Sequence, residues 1–163
     1  MRRLLIEEPF PPVAIRDHAL LAQRTGIPLA AGENHFLRYQ ARQLLERDAA
    51  QILQPGPFKA GGITETKKLA DLAAAYRRSF APHTSMSGIN MAVCLSLLTV
   101  CSNAVIYEAD LPSFNPFRDE LVSPIPKIGR YGHNEAFDGP GLGIEMDESL
   151  FDRFPGIPGP RYV

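Results

Sequence analysis

The sequence predicts an α/β fold built on a parallel sheet. Two observations carry the prediction: apolar runs recur at a nearly constant interval, and the segments between them have helical patterning. Five runs read as short strands: Leu4 to Glu7, Ile27 to Ala31, Gln51 to Gln54, Ser79 to Pro82 and Ala104 to Glu108. Their central residues, Ile6, Leu29, Ile52, Phe80 and Ile106, are separated by 23, 23, 28 and 26 residues. That interval holds one strand, one helix and two loops, and strands so spaced pair in parallel through right-handed crossovers.

The intervening segments support this reading one by one. Leu69, Leu72, Ala73 and Tyr76 stand at i, i+3, i+4 and i+7, with Lys67, Lys68, Asp71, Arg77 and Arg78 on the other faces. Leu37, Ala41, Leu44 and Leu45 make the same stripe one unit earlier, and Gly26 supplies a stop for the first helical stretch. After Glu108 the repeat ends. Residues 109–163 hold eight of the fifteen prolines, so the chain divides into a βα region, 1–108, and a Pro/Gly-rich tail, 109–163. The tail is expected to form short strands around Arg130 to Phe137 and Gly143 to Glu145, then a helical piece at Glu148 to Arg153. It must lie on the βα region or on a partner, and Leu111, Phe114, Phe117, Leu121 and Val122 give it apolar residues that could cover an open sheet face.

Composition narrows the function. With 45% hydrophobic and 21% charged residues the 163-residue chain is of globular type, and 17 basic against 18 acidic residues give no electrostatic reason to expect nucleic acid or an anionic membrane as partner. The longest nearly apolar run, Ile89 to Cys101, is shorter than the ~20 residues a spanning helix needs. With no secretory pattern at Met1 to Glu8, a cytoplasmic location is expected. Cys94 and Cys101 are too far apart on one helix to pair and read as reduced core residues.

The polar residues at strand ends point to chemistry. Glu7 and Glu8 end the first strand, Glu33 follows the second, His83 the fourth, and Glu108 ends the fifth. In a parallel βα sheet these positions open on one face, where such folds place ligands. Any one of the carboxylates could instead cap a helix or pair with arginine. Together they would repel one another unless a cation compensates them, and a hard divalent ion such as Mg²⁺ is the economical candidate.

The order and spacing of several short motifs carry a family resemblance. Ile6-Glu7-Glu8-Pro9, Ala31-Gly32-Glu33-Asn34, Leu53-Gln54-Pro55, Gly61-Gly62-Ile63-Thr64-Glu65, Ala81-Pro82-His83, Tyr107-Glu108 and Pro140-Gly141-Leu142-Gly143-Ile144-Glu145 together resemble the mandelate racemase and muconate lactonizing enzyme family of the enolase superfamily. The resemblance implies a partial TIM (β/α)8 barrel of about five βα units, corresponding to strands four to eight. It further implies Mg²⁺ held by Glu7 and Glu33, with Glu8 and Asn34 supporting them. His83 would be the general acid or base, and Glu108 would bond the substrate carboxylate or enolate. The implied chemistry is removal of the proton α to a carboxylate, followed by reprotonation or loss of water, on an acid sugar or small carboxylate. His35, directly after Asn34, is a candidate to touch that substrate.

Two departures from the family qualify the expectation. Relatives end the sixth strand Gln-Pro-Asp, and that Asp orients the catalytic histidine; here the position is Gly56. Lys59, three residues further, can turn inward, and relatives carry a basic residue there beside an intact Asp. A complete barrel takes about 250 residues, and the family's first metal ligand and strand-two base have no counterpart here. The chain is therefore expected to be a truncated or partial member, inactive alone, with open sheet edges favouring a homo-oligomer or a complementing N-terminal barrel segment. The alternatives are the C-terminal chain of a split but working enzyme, and a non-catalytic βα binding or scaffold module. His18 and His133 are expected at the surface.

Overall fold

The computed structural model describes residues 5–158. Four βα units follow one another: β1 (Ile6–Glu7), α1 (Ile15–Thr25), β2 (Leu29–Ala31), α2 (Leu37–Glu46), β3 (Ile52–Leu53), α3 (Pro57–Ala60), α4 (Gly62–Ala75), β4 (Ser79–Phe80) and α5 (Gly88–Val100). The strands lie in sequence order, β1-β2-β3-β4, and all pair in parallel, with Ile6 opposite Leu29, Ala30 opposite Ile52 and Leu53 opposite Phe80. All four centres lie where the interval arithmetic puts them. Leu4, at the start of the first expected strand, is outside the described residues.

The ladder runs past the formal strand ends. Glu8 N–H donates to Ala30 O (3.0 Å), Gln54 N–H to Ala31 O (2.9 Å), Ala81 N–H to Leu53 O (3.0 Å) and His83 N–H to Pro55 O (3.1 Å). These last rungs fix the backbone at or beside Glu7, Glu8, Glu33 and His83. The fifth expected strand, Ala104 to Glu108, is reduced to a single parallel bridge between Phe80 and Ala104. Among the described residues no strand pairs beyond it, Val105 and Ile106 are exposed, and one-sided pairing does not sustain a longer ladder.

Alternation along the strands divides two faces. Ala31 and Leu53 point to the helices and join Ala41, Leu44, Leu45, Leu69 and Ala73 in the main core. Ala30, Ile52 and Ala81 point the other way, with only Leu5 packed against them, so the inner face is built of small side chains. Gly26 ends α1, its N–H bonded to Ala22 O at 3.1 Å. Ser87 caps α5, its hydroxyl oxygen accepting from Asn90 N–H at 3.3 Å. No helix among the described residues is long and apolar enough to cross a membrane. Both cysteines are buried and free.

The tail differs from expectation in its contacts. It forms α6 (Pro116–Asp119), β5 (Val122–Ser123), a 3₁₀ turn at Arg130–Gly132, β6 (Glu145–Met146) and α7 (Leu150–Arg153), with β5 and β6 antiparallel. The strand expected around Arg130 to Phe137 is replaced by the turn, because Tyr131 and Gly132 both have positive φ and Gly129 N–H closes on His133 O. The tail does not spread over the open inner face. Leu111 and Phe114 are about three-quarters exposed, at 74% and 75%, while Phe117, Leu121 and Val122 gather with Ile89, Ile144, Leu150 and Phe154 at the start of α5.

Two histidines expected at the surface separate. His133 is exposed, but His18 is buried on the inner side of α1, with Nδ1 3.0 Å from Ala14 O and the ring edge-on to Phe10 at 5.4 Å. Phe10 covers a face that helical patterning alone leaves open.

The tail meets α5 closely at one point. A Cβ on Gly88 would lie 2.5 Å from Val122 Cγ2 and 3.0 Å from Arg118 O, so the hairpin docks only against a glycine. Gly88→Ala is expected to lower the free energy of unfolding by about 1–3 kcal/mol, the usual cost of overpacking, read by urea denaturation. An unchanged midpoint would show that the tail is not docked there.

Candidate active site

The site lies beyond the C-terminal ends of the strands, where the last ladder rungs deliver Glu7, Glu8, Glu33 and His83 to one rim and the chain after Ala104 brings Glu108 to it. Gly32 makes the turn after β2 at φ 143°, and a Cβ there would press on Gln54 backbone atoms at 3.1 Å. This close passage of the β2 and β3 ends is what turns Glu33 toward the other strands.

His83 is the centre of the cluster. Its Nδ1 lies 3.0 Å from Glu108 Oε2 and 3.1 Å from Glu33 Oε2, and its side chain is only 13% exposed. A nitrogen held between two carboxylate oxygens carries the proton, so Nδ1–H is the donor. Glu108 Oε2 also accepts from Gln54 Nε2 at 3.2 Å and Thr84 N–H at 3.3 Å, while the Thr84 hydroxyl donates to the Glu108 carbonyl. These bonds hold Glu108 in the site although its strand has frayed. Asn90 Nδ2 donates to the His83 and Ser85 carbonyls at 3.2 Å, fastening the loop after β4 to α5.

Glu8 and Asn34 form a brace beside the cluster. Asn34 Nδ2 donates to Glu8 Oε2 at 2.9 Å and to Glu33 Oε1 at 3.1 Å, and Gly32 N–H reaches Glu8 Oε1 at 3.4 Å. Lys59 Nζ donates to Asn34 Oδ1 at 2.9 Å and stands 3.8 Å from Glu33 Oε1. It therefore turns inward as a counter-charge to Glu33. Glu7, His83 and Glu108 each offer a donor atom, all within 4.8 Å of one another.

His35 takes a different position. It is buried, its neighbours are Glu8 and the Pro12 backbone, and Nδ1 has no protein partner. Burial first, then the charge of His18, pulls its pKa down, against the raising effects of Glu8 and Pro12. It lines a surface cavity of about 350 Å³ with Pro12, Val13, Ile15, Asn34 and Gln40. Asn34 lies between that cavity and the carboxylates.

Convergence shows in the titration of the cluster. Glu7 is pushed up by burial and then by Glu108, with Glu33 adding to the rise and His83 and Gln54 opposing it. Burial works against charge on His83, but the hydrogen bond to Glu108 and the charges of Glu108, Glu33 and Glu7 outweigh it, so its pKa is raised.

At position 56 glycine presents no side chain to His83. A Cβ built there would lie 3.7 Å from His83 Cδ2, on the ring edge opposite the one bonded to Glu33 and Glu108. The inward turn of Lys59 agrees with its place three residues after Gly56, in the short helix α3. The residues without an earlier assignment are Gln54 and Thr84: Gln54 was legible as a polar strand end, whereas Thr84 stands in a loop whose direction no spacing rule supplies.

A parallel α/β sheet with carboxylates and a histidine at its C-terminal rim is the arrangement on which barrel-type α/β folds build their ligand sites. Comparison with known proteins makes this specific. Residues 1–150 match the family described as enolase C-terminal domain-like. A D-galactonate dehydratase of Variovorax paradoxus (strain S110) is 37% identical over 152 residues, which are 91% of this chain and 40% of that protein. A crystal structure of an enolase-superfamily member from Polaromonas sp. JS666 superposes with a TM-score of 0.89 at 42% identity, covering 98% of this chain and 42% of that one. The 3,6-anhydro-D-galactonate cycloisomerase from Zobellia galactanivorans gives 0.81 at 31% identity, covering 93% and 42%. The chain belongs to the enolase superfamily, in the mandelate racemase and muconate lactonizing enzyme family. It spans about 40% of the length of the curated relative it matches, and the sheet is that of a partial barrel.

The elevated His83 pKa has a definite sign. A histidine raised above its unfolded value near 6.5 adds stability that is fully present below that value and lost as pH rises through the folded pKa. An NMR titration is expected to place the His83 midpoint above the ordinary value in the wild type and lower in Glu108→Gln. A midpoint indifferent to Glu108→Gln would mean that the two side chains do not meet.

Proposed function

We propose that this chain forms the C-terminal half of the active site of an acid-sugar dehydratase or racemase of the enolase superfamily, and that residues 1–163 by themselves bind the cation without turning over substrate. The observation that carries the reading is the meeting of Glu7, Glu33, His83 and Glu108 on one rim. A D-galactonate dehydratase among the relatives supports an acid sugar as the ligand class.

The donor set fits a divalent cation. Three carboxylates share the rim, and Glu7, although exposed at its edge, is destabilised as an anion by partial desolvation and by the charges of Glu108 and Glu33, a repulsion that a cation relieves. Superfamily members generally use Mg²⁺. In this reading Glu7 and Glu33 hold it, with Asn34, Glu8 and Lys59 fixing Glu33. When bound, it would supply positive charge at the carboxylate end of the substrate, which acidifies the α-proton.

The chain's own residues account for the rest. Glu108, fixed by Gln54, Thr84 and His83, is positioned to bond a substrate oxygen from the opposite side. Proton transfer by His83 is where this chain is weak. Its Nδ1–H is committed to Glu33 and Glu108, and Gly56 offers no acceptor to turn the ring. The remaining barrel strands would complete the site. A β1 edge paired on one side only, and the exposed Val105 and Ile106 beyond β4, support a requirement for additional strands, from another segment or a second copy.

Two measurements test the reading. Millimolar Mg²⁺ is expected to raise the melting temperature of the wild type but not of Glu7→Gln, while the same protein releases no keto acid from galactonate. Turnover by the chain alone would contradict the proposed incompetence, and indifference of the wild type to Mg²⁺ would remove the cation role.

A further inference from the structure

We propose that Asn115 and Arg118, at the start of α6, are positioning residues for Glu108: they clamp the segment that follows it and so set where its carboxylate stands. The inference rests on the proposed role of Glu108 at the rim and adds a control on that role from the tail.

The backbone after Val105 has to be held by something other than a sheet. Val105 N–H donates to Phe80 O at 3.1 Å, and residues 105–112 belong to no helix or strand. Among the described residues, 106–114 make no backbone-to-backbone hydrogen bond. Backbone polar groups in such a stretch need side chains or water as partners. Three of its carbonyls have side-chain donors: the Thr84 hydroxyl bonds Glu108 O, and Arg118 Nη1 bonds Asp110 O at 3.0 Å and Pro112 O at 2.9 Å. Glu108 is thus gripped at its own carbonyl from the β4 loop and, two residues on, from α6.

Arg118 has the geometry for this. Its side chain is only 12% exposed, and Asp119 accepts from Nε at 2.7 Å and from Nη2 at 2.6 Å. The planar guanidinium is fixed along one edge, which leaves Nη1 on the two carbonyls. The compact ammonium of a lysine does not reproduce that fork.

Asn115 completes the clamp. Its Oδ1 accepts from Arg118 N–H at 3.2 Å and caps α6, while Nδ2 donates to Asp110 Oδ2 at 3.2 Å and to Met86 O at 3.1 Å. Met86 lies in the loop between His83 and α5, with a left-handed φ of 78°. One side chain therefore ties the segment after Glu108 to the loop after His83, and these two stretches carry the pair that meets at 3.0 Å. The helix that bears the clamp is itself seated. Phe117 packs with Leu121, Val122 and Leu150, and Arg118 O lies 3.0 Å from where a Cβ on Gly88 would stand.

The test is ¹⁵N NMR of the full chain and of its Asn115→Asp and Arg118→Lys variants, without added metal. Aspartate caps a helix as well as asparagine does, so α6 keeps its start, but a carboxylate cannot donate to Met86 O and repels Asp110. Lysine keeps the charge beside Asp119 and loses the fork. The signals to follow are the Gln54 side-chain amide and Thr84 N–H, which both donate to Glu108 Oε2. Each variant is expected to displace both resonances and to speed exchange of the Thr84 amide about tenfold, the scale of one or two lost hydrogen bonds. The Val122 and Met146 amides of the hairpin are expected to keep their shifts. Unmoved Gln54 and Thr84 signals in both variants would overturn the clamp. Displacement spread equally to Val122 and Met146 would also overturn it, because general loosening of the tail produces that pattern. No metal enters the measurement, so the clamp can fail while the cation reading stands, and a rim indifferent to Mg²⁺ leaves this outcome unaltered.

Discussion

The interaction on which the rest depends is the enforced proximity of like charges at the strand ends. Glu7, Glu33 and Glu108 are far apart in sequence; the parallel ladder brings the first two together, and bonds from Gln54, His83 and Thr84 hold the third beside them. Burial and the charges of Glu108 and Glu33 push Glu7 up, and the protein's own compensation in the cluster is one imidazole, one ammonium and a few N–H groups. A rim of this kind is unfavourable as scaffold and useful as a receptor for positive charge. The small inner-face residues Ala30 and Ala81, the tight passage at Gly32 and the Asn34 brace all serve to hold that arrangement.

The architecture is otherwise divided by task. The helix layer, through α2 and α4, packs on Ala31 and Leu53 to make the main core, while the polar residues that follow the strands gather at the rim. The tail packs on α5 through Val122, Leu121 and Leu150. Its contribution is to seat α5, which in turn fastens the His83 loop through Asn90.

Much of this was legible in the sequence. A spacing of 23 to 28 residues between apolar centres predicted four strands correctly, because the period of a βα unit is fixed by the helix that must span the sheet. The strand-end rule put Glu7, Glu33, His83 and Glu108 on one rim for the same reason. What it could not supply was tertiary. The Ala104 segment pairs only at one residue because nothing flanks it among the described residues. His18 is buried because Phe10, eight residues upstream, folds onto α1. Which edge of His83 faces the carboxylates is a matter of side-chain rotation, on which sequence spacing is silent.

The central claim is that four side chains from separate units share one cation-binding centre, and paramagnetic broadening by Mn²⁺ tests it most directly. At substoichiometric Mn²⁺ the account predicts selective loss of the backbone amide signals of Glu7, Glu33, His83, Thr84 and Glu108, with Val122 and Met146 in the tail hairpin unaffected. Broadening that spared the rim, or that spread evenly over the acidic surface, would contradict it.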